Sequence, residues 1–318
     1  MQSGNILILG DTGFLGSNLI HHFISFYPLW QCTGISRRSS GLLLNPNGSY
    51  QHVCLDANTP SSLEQWMQWA DVVVDFAHSR KPLTNNDDKD SGLDYEYFQA
   101  LETRLRLAEK SSVHLYLYSS SGGAVYGNKY DDGIAKLSAE ESALKPISIY
   151  GLEKCIAEQI VAFTLRESST NYVLMRISNP YGSLVPAHRR HGFIPRLLRS
   201  ILADDTVEIW GDPDSIQKDF IFMEDVCACI AKILSYHGHE HVFNIGSATS
   251  ISLTNVIRIA EEKCGRRAKL RLSEGKPGDV TKFCLDISRA AKELGWSPST
   301  PLEDGMGKTL AALSMEQS

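Results

Sequence analysis

The stretch ILGDTGFLGSNLI, residues 8–20, sets Gly10, Gly13 and Gly16 between an apolar run ending at Leu9 and a segment with apolar residues at helical spacing. A tight turn out of a buried strand needs the first glycine, and close backbone approach to a pyrophosphate needs the second. The third lets helix and strand pack closely. The helix that follows offers its free N–H groups to an anion. A dinucleotide therefore belongs at this first strand–helix junction.

Outward from the turn, short apolar runs alternate with longer amphipathic ones. Ile6–Leu9, Val53–Leu55, Val72–Phe76, Val113–Tyr118 and Val173–Ile177 are predominantly apolar and read as strands buried on both faces. Phe14–Tyr27, Ser61–Trp69, Tyr95–Lys110 and Ile149–Arg166 carry helical periodicity. Strand, helix, strand repeated in this way predicts an α/β chain, a Rossmann-type doubly wound parallel sheet. After Pro180, Gly and Pro become more frequent and the elements shorter, with Val242–Ile245 as one further strand. The expected division is a nucleotide-binding domain over 1–180 with a return near 220–248, and a smaller α/β substrate lobe over 181–219 and 249–318. Lys81–Gly92, KPLTNNDDKDSG, is the most loop-like segment and a candidate flap over a site.

Composition narrows the partners. The 318 residues are 42% hydrophobic and 21% charged, with a net charge of -6 and no Lys/Arg stripe to meet nucleic acid. No run reaches the roughly 20 apolar residues that span a bilayer, and Ile6–Leu9 stands too near the start for a signal peptide. Seven scattered cysteines make no disulfide or zinc framework; Cys227 and Cys229 fall inside a predicted helix. A cytoplasmic enzyme with neither membrane nor nucleic-acid partner is expected. The ten histidines show no metal-ligand spacing, and His188 and His191 flank a basic loop, so no metal is expected.

About 20 residues beyond the last glycine, a dinucleotide fold presents its ribose-reading residue. Here the loop reads GISRRSS, with Ser36, Arg37 and Arg38 where an acid would select the unphosphorylated ribose. Two guanidinium groups favour a 2′-phosphate, hence NADP. Asp56, ending the next strand, is placed either to accept from the adenine amine or to cap the strand.

Tyr150 and Lys154 lie four apart on a predicted helix and share a face. A phenol titrates near pH 10, so it needs a neighbouring ammonium to act as a base at neutral pH. With a hydroxyl to hold the substrate oxygen, such a set moves the proton of an alcohol while a nicotinamide exchanges hydride. YSSSGGAVYG, residues 118–127, supplies the hydroxyls at a predicted strand end.

Together these segments resemble the extended short-chain dehydrogenase/reductases, in their nucleotide-sugar epimerase/dehydratase branch. The resemblance rests on GxxGFLG at 10–16, SSSGGAVYG at 119–127, the YxxxK pair, RISNPYG at 176–182, IWGDPDSIQKDFIFMEDV at 209–226, FNIGS at 243–247 and GKPGDVTKFCLDISRAAKELGW at 275–296. It implies a tightly held NAD rather than the NADP that the loop favours, and both stay open. It adds Phe14, Leu15 and Ala77 as cofactor contacts. It also implies a nucleoside-diphosphate sugar, most often a UDP-sugar, as substrate, and a homodimer.

In that family a Ser or Thr four residues before the tyrosine of the VYG turn holds the C4 oxygen. That count falls on Gly122, one residue late, so alignment from the strand side selects Ser121, with Ser120 as the alternative. Family dehydratases place Asp-Glu directly after this hydroxyl. Gly122 and Gly123 stand there instead, which implies a C4 epimerase of the capsule and O-antigen type, with a 4-keto-sugar reductase as the rival. Outside enzymes, the rival is a cofactor-binding regulator. Asn179, Lys218, Lys276 and Asp279 are the substrate contacts that the resemblance implies, with lysines where many epimerases carry arginines.

Overall fold

The computed structural model describes residues 3–38, 48–57, 59–78, 92–182, 184 and 192–315. All but Gly92 of the expected flap, together with His188, His191, Ser39 and Ser40, lies outside the described residues.

Five strands, β1 (Gly4–Leu9), β2 (Trp30–Ser36), β3 (Tyr50–Cys54), β4 (Val72–Asp75) and β5 (Leu115–Ser121), form the body of a seven-stranded sheet. Its order is Val242–Ile245, Asn171–Ile177, β5, β4, β1, β2, β3. β1 pairs in parallel with both β2 and β4, and the order reverses on either side of it, which makes the glycine turn after β1 the switch point where ligands bind. The expected α/β doubly wound sheet is therefore present.

The helices follow the periodicity: α1 (Phe14–Phe26), α2 (Pro60–Trp69) and α3 (Tyr95–Lys110). The short α4 (Gly122–Tyr126) and the long α5 (Ile149–Leu165) come next. Asp94 caps α3 by accepting from the Tyr97 amide at 2.9 Å, with Glu96 in the first turn and Lys110 in the last to match the dipole.

Two features depart from the sequence expectation. β2, WQCTGIS, lacks the apolar continuity of its neighbours because Gln31, Thr33 and Gly34 interrupt it, yet parallel pairing on both sides makes it a strand. β5 runs on to Ser121, so the three serines are strand residues rather than the loop beyond it. Ladder bonding needs only backbone, and Ser119 and Ser120 are buried.

The chain divides into two compact units. One comprises 1–121, 149–176 and 230–243; the other comprises 122–148, 177–229 and 244–318. The first holds a core in which Leu7, Leu9, Val73, Leu101, Leu105, Tyr116 and Val161 are fully buried. The second is centred on Tyr181, Leu197, Phe222, Val256 and Met306. Among the described residues no helix is long and apolar enough to cross a membrane.

Candidate active site

The glycine turn is built as its chemistry requires. Gly10 has φ +84°, a left-handed backbone, and a Cβ there would lie 3.2 Å from the Phe76 carbonyl carbon and 3.3 Å from the Ala77 nitrogen. Ala77 therefore sits directly against the turn, its N–H donating to Asp75 Oδ1 at 2.9 Å. A Cβ on Gly16 would come within 2.6 Å of Gly10 and Asp11 backbone atoms, so α1 docks on the turn through bare backbone. Gly13 is the N-cap and no side chain caps the helix, which leaves the first-turn N–H groups at Phe14 and Leu15 to a ligand. These features fit a dinucleotide pyrophosphate.

Ser36 accepts from Thr12 Oγ1 at 3.0 Å and donates to the Arg38 carbonyl at 3.1 Å, shaping a short loop from which Arg37 and Arg38 project into solvent. Asp56 is half-buried after β3, its carbonyl accepting from the Thr59 amide. Sequence reasoning missed Asp11. Fully buried, it accepts at Oδ2 from Tyr50 at 2.8 Å and pairs with His52 Nδ1 at 2.7 Å. It also explains Gly34, where a Cβ would collide with that carboxylate. The available signal was an acid inside an otherwise small-residue turn.

In the same unit, the end of β5 faces the first turns of α5. Ser121 hydrogen-bonds Tyr150, which draws the phenol down, but burial is the larger effect and pushes it up to about 12. The phenol thus lies above its ordinary value, opposite to the lowering expected of a lysine neighbour. Lys154 Nζ stands 5.9 Å from the centre of the Tyr150 ring and directs its hydrogen bonds to the Ser119 carbonyl (2.7 Å) and the Tyr118 hydroxyl (3.2 Å). Burial pushes the Lys154 ammonium down to about 7, with Asp75 and Glu158 opposing. The Ser120 hydroxyl points elsewhere, donating at 2.5 Å to Glu158 Oε1, which is held by Arg176. Ser121 is the serine beside Tyr150.

In the second unit, Gly122 and Gly123 lie under apolar side chains. A Cβ at Gly122 would meet Leu285 at 2.7 Å, and one at Gly123 would meet the Phe283 ring at 2.8 Å. The implied substrate residues fall into three separate contacts. Asn179 donates to the Asp219 carbonyl at 2.8 Å, Lys218 pairs with Asp279 at 3.0 Å, and Lys276 stands 3.3 Å above the Trp210 ring. Trp210, inside IWGDPDSIQKDFIFMEDV, is a contact that the motif by itself does not announce.

The model of the NAD dependent epimerase/dehydratase family matches residues 6–246. The chain belongs to that family. As a member it is an enzyme, and the regulator reading is set aside. This family member is 36% identical over 197 residues to the dTDP-4-dehydro-6-deoxyglucose reductase of Escherichia coli, covering 62% of this chain and 60% of that protein. It is 25% identical over 308 residues to a putative UDP-glucose 4-epimerase of Methanocaldococcus jannaschii, covering 96% and 97%. Among solved structures it resembles the Thermotoga maritima UDP-glucose 4-epimerase with UDP-glucose, at TM-score 0.85 and 24% identity over 99% of this chain and 100% of that one. That likeness establishes the fold.

Proposed function

We propose that this enzyme is a C4 epimerase of a nucleoside-diphosphate sugar, most simply a UDP-sugar, working through a 4-keto intermediate. The observation that carries it is the Ser121–Tyr150–Lys154 arrangement followed by two glycines, which bring no side chain to move a proton. A dehydratase needs an acid and a base at those glycines. Without them, proton and hydride exchange at C4 remains. Full-length similarity to a putative UDP-glucose 4-epimerase supports the same reading.

Tyr150 takes the C4 hydroxyl proton as the ketone forms and returns it when the ketone is reduced. Ser121 holds the C4 oxygen, and the Lys154 ammonium favours the phenolate whenever the proton leaves. A nicotinamide dinucleotide, held on the turn from Gly10 to Gly16, supplies the hydride acceptor. Asn179, Lys218, Lys276 and Asp279 form the substrate-binding set, and a homodimer in a cytoplasmic glycan-building role completes the proposal. Of the two cofactors, NAD follows the family, while the exposed Arg37 and Arg38 favour NADP.

Arg37→Ala tests the loop. Losing one charge-assisted contact, about 1.5–3 kcal/mol, should weaken NADP binding about ten- to a hundred-fold and leave NAD binding unchanged. Equal effects on both cofactors, measured by titration calorimetry, would make the loop a solvated one.

A specific set of observations favours a second reading, an NADPH-dependent 4-keto-sugar reductase. Burial raises the Tyr150 phenol above its ordinary value, which suits a proton donor; the loop suits NADP; and the E. coli relative at 36% identity carries a reductase name. An epimerase ends each turn in its starting redox state, whereas a reductase consumes one reduced cofactor. Supplied with UDP-glucose, UDP-N-acetylglucosamine, their galacto partners and other NDP-sugar pairs, the enzyme should interconvert one pair with catalytic cofactor alone. Stoichiometric NADPH consumption with a 4-keto sugar, and no interconversion of any pair, would replace the epimerase by the reductase.

A further inference from the structure

Behind Tyr150 the first unit closes a ring of contacts. The Tyr150 ring stands edge-on to His78, with centroids 5.4 Å apart, and His78 lies 4.2 Å from the Tyr97 ring. The Tyr97 hydroxyl meets the Tyr118 hydroxyl at 2.7 Å, and the Tyr118 oxygen accepts from Lys154 Nζ at 3.2 Å. Lys154 then faces Tyr150 again. Tyr97 and Tyr118 are both buried, and neither belongs to the serine, tyrosine and lysine set.

The direction of these bonds follows from their donors. An ammonium only donates, so Tyr118 must accept from it, while either hydroxyl can be the donor between Tyr118 and Tyr97. The Tyr118 ring also lies under the ammonium, with its centre 4.8 Å from Nζ. Lys154 has thus given two of its three donors to fixed acceptors on β5, the Ser119 carbonyl and the Tyr118 hydroxyl.

We propose that Tyr118, backed by Tyr97, is a positioning residue that holds the Lys154 ammonium in place beside Tyr150 and favours its charged form. This rests on the reading of Lys154 as the partner of Tyr150. Several groups set the lysine's charge: Asp75 on β4, Arg104 and Tyr97 on α3, Tyr118 on β5, and Tyr150, Glu153 and Glu158 on α5. The carboxylates favour the ammonium, while burial and Arg104 oppose it. In a site so finely opposed, one lost acceptor moves the balance toward neutral amine.

Tyr118→Phe keeps the ring beneath the ammonium and removes only the oxygen. In full-length protein with isotope-labelled lysines, where Lys154→Met identifies the resonance, the Lys154 midpoint should fall by about one pH unit, the size of one hydrogen bond to a charged group. Tyr97→Phe should shift it less, in the same direction. The alkaline limb of turnover should move down with it, leaving the rate below that limb within about three-fold of wild type. An unmoved midpoint with a uniformly lower rate would reduce the tyrosine pair to packing. If Tyr118→Phe fails to fold, the sign of the Tyr97→Phe shift decides. Full activity of Tyr150→Phe would instead overturn the underlying reading while leaving the lysine titration as evidence for the contact.

Discussion

A Tyr150→Phe enzyme is expected to keep its fold and its cofactor affinity and to lose turnover by about 10²–10⁴-fold, the usual contribution of a positioned acid–base group. The substitution removes one oxygen. The ring contact with His78 at 5.4 Å is preserved by phenylalanine, so packing gives no reason for collapse. What disappears is the hydroxyl that hydrogen-bonds Ser121. Among the described residues, Gly122 and Gly123 offer no side chain at the β5 end to replace it, and the Ser120 hydroxyl is committed to Glu158. The measurement is steady-state turnover beside calorimetric cofactor binding on the same preparation. More than about a tenth of the wild-type rate would take Tyr150 out of the chemistry.

How much of this was legible in the chain depends on the kind of force involved. The doubly wound sheet was readable because strands buried on both faces must be apolar along most of their length, and Ile6–Leu9 and Val72–Val74 are. Trp30–Ser36 escaped that test. Its Thr33 and Gly34 owe their places to Asp11 and Gln51, which are long-range neighbours that no local pattern announces. The YxxxK spacing placed Tyr150 and Lys154 on one helix, but not the direction of their shifts. Those depend on how much dry protein surrounds each group, and burial outweighs the local partner for both. Alignment from the strand side selected Ser121 but left Ser120 open. Successive strand residues point to opposite faces, and which face looks toward α5's tyrosine and which toward its Glu158 is a tertiary fact. The substrate residues were named by resemblance alone, and the lobe that carries them places them in three separate contacts.

The largest expected loss of stability comes from that same Glu158. Its carboxylate is buried, 1% exposed, and depends on Arg176, whose Nε donates to Oε1 at 3.0 Å and whose terminal nitrogen donates to Oε2 at 2.7 Å. Arg176→Met removes both donors and leaves a charge in the interior with the Ser120 hydroxyl, at 2.5 Å, as its remaining hydrogen-bond donor among the described residues. Breaking one side of a buried pair costs about 3–5 kcal/mol, because the stranded ion keeps its desolvation penalty and loses its partner. Replacing both ends by apolar side chains of similar volume removes the penalty with the pair. Arg176→Met should therefore move the denaturant midpoint of unfolding far below that of wild type, and Glu158→Leu/Arg176→Met should recover most of the difference. Were the single variant within about 1 kcal/mol of wild type, Glu158 would have to be neutral or hydrated in the native state, and the pair would not be what fixes Ser120 away from the tyrosine.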